Sequence, residues 1–227
     1  PVLVDCDPTL WTMDVDQVAE KITSKTKAIM PVHIYGHPVN MDPLLDLAED
    51  HNLAIIEDAA EAHGAEYLSH NNSSGTWRRC GSFGTLSCFS FYANKIITTG
   101  EGGMVLTDDE TLASKARAYR DLCFQPPRRF YHEHLGNNFR LTNMQAALGV
   151  AQIDRMEEII SKKRWMADQY TKRLSHLKSL QLPVEKPWAQ SVYWMYALVL
   201  SEETGMDNTE CEKRLFELGV DTRPFFI

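Results

Sequence analysis

The chain lacks any C-x-x-C pair, any basic patch and any apolar stretch approaching the length of a membrane span. Its five cysteines, Cys6, Cys80, Cys88, Cys123 and Cys211, are scattered and odd in number. That spacing points to neither a zinc knuckle nor a disulfide framework, and a reducing cytoplasm is the simplest compartment for it. A formal net charge of −8, with acidic residues spread along the chain, argues against nucleic-acid binding. No basic, apolar leader is present in Pro1 to Asp5, so the Asn-x-Ser sequons at Asn71 and Asn72 carry no meaning. There is no internal repeat, no membrane segment and no initiating methionine, and the last point makes a piece of a longer chain the expectation. What is present, 227 residues of which 44% are hydrophobic, suffices for a substantial core in one large domain or one and a half ordinary ones.

Strand and helix signals alternate along the first half. Val2 to Asp5 reads as a short strand, Asp14 as the cap of a helix with Val15, Val18 and Ile22 on its apolar face, and Ala28 to His33 as a buried strand. Asp42-Pro43 reads as the start of a second helix and Leu53 to Glu57 as a third strand. This order predicts parallel β-α-β units, whose ligands sit beyond the carboxyl ends of the strands. Ser69 to Gly81 reads as a polar loop, Leu86 to Tyr92 and Gly103 to Thr107 as strands, and Asp108 as a cap for the helix near Glu110. Gln125 to Asn138 is irregular in composition. Thr142 opens a long helical region with Ile153, Met156, Ile160, Ala167, Tyr170, Leu174 and Leu177 on one stripe. Pro183 and Pro187 bound a linker, Val192 to Leu200 reads as a strand, and Thr209 opens a last helix. The boundaries expected are a large domain over 1–155, a connecting helix over 156–182 and the start of a smaller α/β domain over 183–227.

Three features carry chemistry. Lys95 follows a β-prone run and precedes the turn Gly100-Glu101-Gly102-Gly103; an amine with reduced solvation attacks carbonyls. Asp58 stands at a strand end among small residues, suited to a cationic ring nitrogen or to an ordinary helix cap. Ser90 and Asn137-Asn138-Phe139-Arg140 offer a hydroxyl and amides to an anion. An amine, a carboxylate for a pyridinium and donors for a phosphate are together the requirements of pyridoxal phosphate. His132-Glu133-His134 alternates and lacks the one-face spacing of a helical metal site, so no metal is expected.

Glu57-Asp58-Ala59-Ala60-Glu61-Ala62, Phe91-Tyr92-Ala93-Asn94-Lys95, Thr98-Thr99-Gly100-Glu101-Gly102-Gly103 and the run from Asn138 to Ala147 closely resemble the DegT/DnrJ/EryC1/StrS family of nucleotide-sugar aminotransferases. The resemblance runs from Pro1 to the Thr222-Arg223-Pro224-Phe225-Phe226 end and implies the α/β, aspartate-aminotransferase-like fold (type I) with a mainly parallel sheet. It implies that Lys95 forms the Schiff base, Asp58 pairs with the pyridine nitrogen, Ser90 binds the phosphate and Asn138 reaches the cofactor of a neighbouring subunit in a homodimer. Glu61 stands where many members carry glutamine near the phenolic oxygen. The lysine motif looks like that of members aminating C4 of a nucleotide-linked 4-keto-6-deoxy sugar, especially the GDP-perosamine synthases, with L-glutamate as donor; His132 and Arg223 match positions near the sugar nucleotide. Members also carry an N-terminal phosphate loop with a ring-stacking residue, and they continue past Ile227, so the chain is expected to be truncated at both ends. The competing expectations are a cofactor-free remnant serving as an interaction module, and a dehydratase, which in this family has histidine in place of Lys95.

Overall fold

The structure, a computed structural model, describes residues 1–70, 75–124, 128 and 130–225. Its elements in order are α1 (Val15–Lys21), β1 (Ala28–Ile29), α2 (Met41–Asp50), β2 (Ala54–Asp58), β3 (Glu66–Ser69), β4 (Thr76–Arg79), β5 (Leu86–Ser90), β6 (Gly103–Leu106), α3 (Glu110–Arg120), α4 (Asn143–Ile153), α5 (Met156–Leu174), β7 (Leu180–Gln181), β8 (Ala189–Gln190), β9 (Val199–Leu200) and α6 (Asn208–Glu217). The principal sheet has the order β1-β2-β5-β6. β1, β2 and β5 are parallel, as the alternation of strand and helix requires, and β6 returns antiparallel along β5. Two smaller sheets, β4-β3-β8 and β7-β9, are antiparallel.

Two apolar clusters hold the fold. One packs α1 and α2 on the sheet through Val18, Ile29, Met41, Leu44 and Ile55. The other gathers Ala59, Ala62, Phe91, Ile96, Ile97, Ile160, Val192 and Trp194 beyond the carboxyl ends of β2 and β5. The stripe expected on the long helix reaches the core only in part: Ile160 and Ala167 are buried, while Ile153 and Tyr170 are about half exposed. The helix is interrupted between Ile153 and Met156, which turns the first part of the stripe away.

Several boundaries differ from expectation. Val2 to Asp5 is no strand; Val2 and Leu3 are exposed, and only Cys6 and Met13 pair nearby, in an isolated antiparallel bridge. α2 starts before Asp42, because that carboxylate accepts the Ser69 hydroxyl and the His70 amide, both at 2.7 Å. Asp109 rather than Asp108 caps α3, and Asp207 rather than Thr209 caps α6. The polar run after Ser69 contains β4, a strand read as loop because its Trp77, Arg78 and Arg79 are exposed edge residues; Asn71 and Asn72 lie outside the described residues. Val192 to Leu200 is a strand only at Val199–Leu200, since its first part hydrogen-bonds to the turn at Tyr35 and Gly36 instead. Asp14 and Thr142 cap α1 and α4 as expected, the latter in a closed capping box with Gln145.

Candidate active site

β2 alternates, placing Ile55 and Glu57 in the interior and Asp58 at its carboxyl end. Asp58 is held by its backbone: its N–H donates to Pro31 at 2.9 Å and its carbonyl accepts from His33 at 3.0 Å. One carboxylate oxygen accepts the Ala60 N–H at 3.1 Å. Turns and not a helix follow over 59–64, so the helix-cap alternative for Asp58 is not realised. Cys88 of β5 lies in register with Asp58, and β5 ends two residues later at Ser90. The Ser90 hydroxyl oxygen accepts the Tyr92 amide at 3.2 Å, which leaves its own hydrogen for another acceptor.

Glu57 is the structural partner of this strand end. Its buried carboxylate accepts from the amides of Gly81, Phe83 and Gly84 at 2.6, 2.7 and 2.6 Å and from His33 Nε2 at 3.1 Å. A Cβ on Gly84 would stand 2.7 Å from the Ile55 carbonyl, so glycine is what lets the turn approach. Burial alone pushes the Glu57 pKa up, but His33 and the amide donors outweigh it and hold it below the ordinary value. At His33, burial disfavours a charge while Cys80 and Glu57 favour one. The contact with Val39 decides the matter: its N–H donates to Nδ1 at 3.0 Å, so that nitrogen carries no proton and the ring's proton is assigned to Nε2, facing Glu57.

Lys95 sits five residues past β5, on a turn rather than on the strand. The turn is fixed because Lys95 N–H donates to Tyr92, Phe91 N–H to Gly102 and Thr99 N–H to Phe91, at 2.9 to 3.0 Å, while Ile96 and Ile97 are buried. The Lys95 side chain is only 11% exposed. Its Nζ lies 3.4 Å from Glu61 Oε1 and 3.8 Å from the centroid of the Trp194 ring. Glu61 Oε2 accepts the Tyr35 N–H at 2.7 Å. Burial raises the Glu61 pKa, with Lys95 and Tyr35 opposing the shift and Asp58 adding to it. The amine, two carboxylates and a hydroxyl thus share the carboxyl-end rim of a parallel sheet.

Residues 1–227 match the profile of the DegT/DnrJ/EryC1/StrS aminotransferase family. The chain belongs to this family. It is 42% identical to GDP-perosamine synthase of Caulobacter vibrioides, over 100% of this chain and 59% of that protein. To the putative pyridoxal phosphate-dependent aminotransferase EpsN of Bacillus subtilis it is 31% identical, over 100% and 57%. Among solved structures it superposes on DesV of S. venezuelae with a TM-score of 0.86 at 34% identity, covering 97% of this chain and 56% of that one. The chain therefore spans somewhat over half the length of the relatives it matches, and its fold is that of the type I pyridoxal phosphate enzymes.

Pyridoxal phosphate is the cofactor that goes with this family, and the donor set fits it. A nearly buried amine, a strand-end carboxylate and a hydroxyl with a free hydrogen meet the demands of an aldehyde, a pyridinium and a phosphate in turn. The other residues expected to bind lie elsewhere on the chain. Asn138 is exposed and accepts the Arg140 Nε–H at 2.8 Å; since arginine only donates, the amide N–H2 of Asn138 is what remains to meet an anion. His132 is exposed and its Nδ1 donates to the Leu122 carbonyl at 2.7 Å. Arg223 is exposed, two residues before Phe225, whose ring contacts Trp11 and Tyr35 at 5.0 Å each.

The sequence reading missed Tyr35, His63 and Trp194. Tyr35 and Trp194 act through long-range contacts that no local spacing announces. His63 is 4% exposed, lies against the rings of Phe89 and Phe91, and has no hydrogen-bond partner of ordinary geometry among the described residues. Burial, with a smaller push from Lys95 and against the Ser90 backbone, lowers its pKa to about 4. A folded-state pKa below the unfolded value of 6.5 means the unfolded chain binds a proton first on acidification. The contribution of neutral His63 is thus complete above pH 6.5 and lost as pH falls toward about 4, amounting to roughly 3 kcal/mol over that window. Denaturation of wild type and His63→Leu across this range should show the wild type losing more stability on acidification; parallel curves would contradict the assignment.

Proposed function

We propose that this protein transfers an amino group from L-glutamate to a nucleotide-linked 4-keto-6-deoxy sugar, as a GDP-perosamine synthase does, with Lys95 as the residue that bonds to pyridoxal phosphate. The observation that carries this reading is the Lys95 amine, nearly buried beside Glu61 on the same sheet rim as Asp58 and Ser90. Bound there, the cofactor supplies an aldehyde for imine chemistry and a ring that stores negative charge.

The chain's own residues have separate tasks. Asp58 would pair with the ring nitrogen and keep it protonated, an interaction strongest in a site shielded from water. Ser90 donates its hydroxyl hydrogen to the phosphate. Lys95 Nζ would serve as the nucleophile toward the cofactor's aldehyde and, when free, as the group that would move a proton between the donor carbon and the cofactor. Glu61, raised in pKa by burial, would lie toward the phenolic oxygen and could share a proton with it. His132 and Arg223 face the sugar nucleotide.

Asn138 serves the phosphate of a neighbouring subunit in a homodimer. Apolar side chains on β6 and α4, with Met104, Val105, Leu106, Met144, Leu148 and Val150 all between 42% and 82% exposed, support pairing of this kind. The division into a large domain over 1–155, a connector over 156–182 and a second domain from 183 belongs to the same reading.

Incubation with pyridoxal phosphate, glutamate and a panel of nucleotide-linked keto-sugars tests it. Amino-sugar formation from the 4-keto-6-deoxy substrate alone is the expected result. Release of 2-oxoglutarate with no sugar in the panel aminated would overturn the substrate assignment.

A further inference from the structure

Trp194 is distant from Lys95 in sequence yet supplies the wall against which the amine rests. It is 4% exposed, and three contacts fix its plane: its indole N–H donates to the Asn94 carbonyl at 2.8 Å, its backbone N–H to Tyr35 at 2.9 Å, and its carbonyl accepts from Lys163 Nζ at 2.9 Å. The Asn94 contact ties the indole to the residue immediately before Lys95, so the ring is anchored to the turn that carries the amine. On the amine's other side, Glu61 is fixed by Tyr35, whose carbonyl is the acceptor for Trp194. Ring, carboxylate and lysine therefore form a closed circuit through the backbone of Tyr35. The face of an indole carries negative potential, and a cation 3.8 Å from its centroid is well inside the range of attraction.

We propose that the Trp194 face and the Glu61 carboxylate form a dock for the Lys95 ammonium whenever that amine is not bonded to the cofactor, with Trp194 as the positioning residue. The role rests on the reading of Lys95 given above. In transamination, Lys95 would have to leave the cofactor, hold a proton and deliver it to a second carbon two bonds from the first without drifting into solvent. A dock of one carboxylate and one π face retains the ammonium while leaving it free to give up the proton. A second carboxylate at contact distance would hold it more tightly; Asp58 instead acts on Glu61 only through its charge. The other titratable neighbours are His63, which is kept neutral and so does not repel the ammonium, and Lys163, whose contact is with the Trp194 carbonyl.

The test uses the cofactor-free protein and a neutral amine-acylating reagent, with labelling of Lys95 read by peptide mass spectrometry after brief pulses. A dock that stabilises the ammonium protects Lys95 at neutral pH, where the proton must first be lost, and has no effect at strongly alkaline pH. Trp194→Leu should therefore label roughly tenfold faster at neutral pH, the size of a desolvated cation–π contact, with the two rates converging at strongly alkaline pH; Trp194→Phe should lie between. A gap that persists unchanged at alkaline pH means that Trp194 only shields Lys95, and equal rates at both pH values mean that it does nothing; either overturns the proposal. Should Trp194→Leu not fold, wild-type protein grown with mono-, di- and trifluorinated tryptophan decides: neutral-pH labelling should rise with fluorine content at constant ring shape, and a flat series overturns the dock. Because no cofactor is present, failure of Lys95 to bond pyridoxal phosphate would appear in a separate experiment and would not be mistaken for failure of the dock.

Discussion

Lys95→Ala is expected to abolish transamination, with turnover at the level of free pyridoxal phosphate, while the variant stays folded. The two expectations have separate grounds. Catalytically, alanine removes both the nucleophile and the group that moves the proton between carbons, and residues that act as a unit lose most of their effect when the central one goes. Structurally, the Lys95 amine contributes one 3.4 Å contact to Glu61 and one ring contact. Its turn is held by backbone hydrogen bonds and by Ile96 and Ile97, which the substitution leaves alone. Loss of the amine also relieves Glu61 of a charge that opposes its raised pKa, so the Glu61 carboxyl should become still easier to protonate. Steady-state assay and thermal denaturation check the pair of claims; appreciable turnover by the folded variant contradicts the role given to Lys95.

The second large effect concerns stability. Glu57→Ala should cost about 3–5 kcal/mol, because it strands a buried histidine and three amides that the carboxylate now satisfies. In a chain of this size that corresponds to a fall in melting temperature of roughly 10 °C. The sign with pH follows from the lowered pKa of Glu57. Its contribution is fully present above the unfolded carboxylate value of 4.5 and is lost as pH falls below that value through the folded one. Glu57→Gln should consequently be less stable than wild type at neutral pH and nearer to it in acid. Activity should suffer as well, since Asp58 is the next residue and the 81–84 turn leads into the strand that ends at Ser90. A Glu57→Ala protein with unchanged melting temperature would contradict the assignment of this carboxylate as an anchor.

The placement of much of the candidate site on the fold was legible because its members are local. Asp58 and Ser90 each close a β-prone run, and the glycines after Lys95 mark a turn, so their shared rim follows from the rule that parallel strands present ligands at their carboxyl ends. The strands themselves were legible where apolar, β-prone residues run together, as in β2, β5 and the exposed β6. They were misread where exposure made polar residues tolerable, as in β4, or where a chain end found no partner, as at Val2. Helix starts slipped by one or two residues where more than one capping side chain stood close together, as at Asp108 and Asp109 or at Asp207 and Thr209, because either side chain can cap and only the backbone path chooses. Trp194, Tyr35 and the His33–Glu57 pair were illegible for another reason. Their partners lie far along the chain, and no periodicity encodes which buried tryptophan will face which lysine. For Asn138 and His132 the chain alone offers exposure and one hydrogen bond each, and for Arg223 exposure alone; in the reading proposed above, the surfaces they meet would belong to a second subunit or to a substrate.

The most direct measurement is to mix the protein with pyridoxal phosphate, reduce with borohydride and map the modified peptide by mass spectrometry. A single stoichiometric phosphopyridoxyl group on Lys95, lost in Lys95→Ala and diminished when glutamate is added before reduction, is the expected result. Modification spread over exposed lysines, with Lys95 untouched, would contradict the assignment of this site.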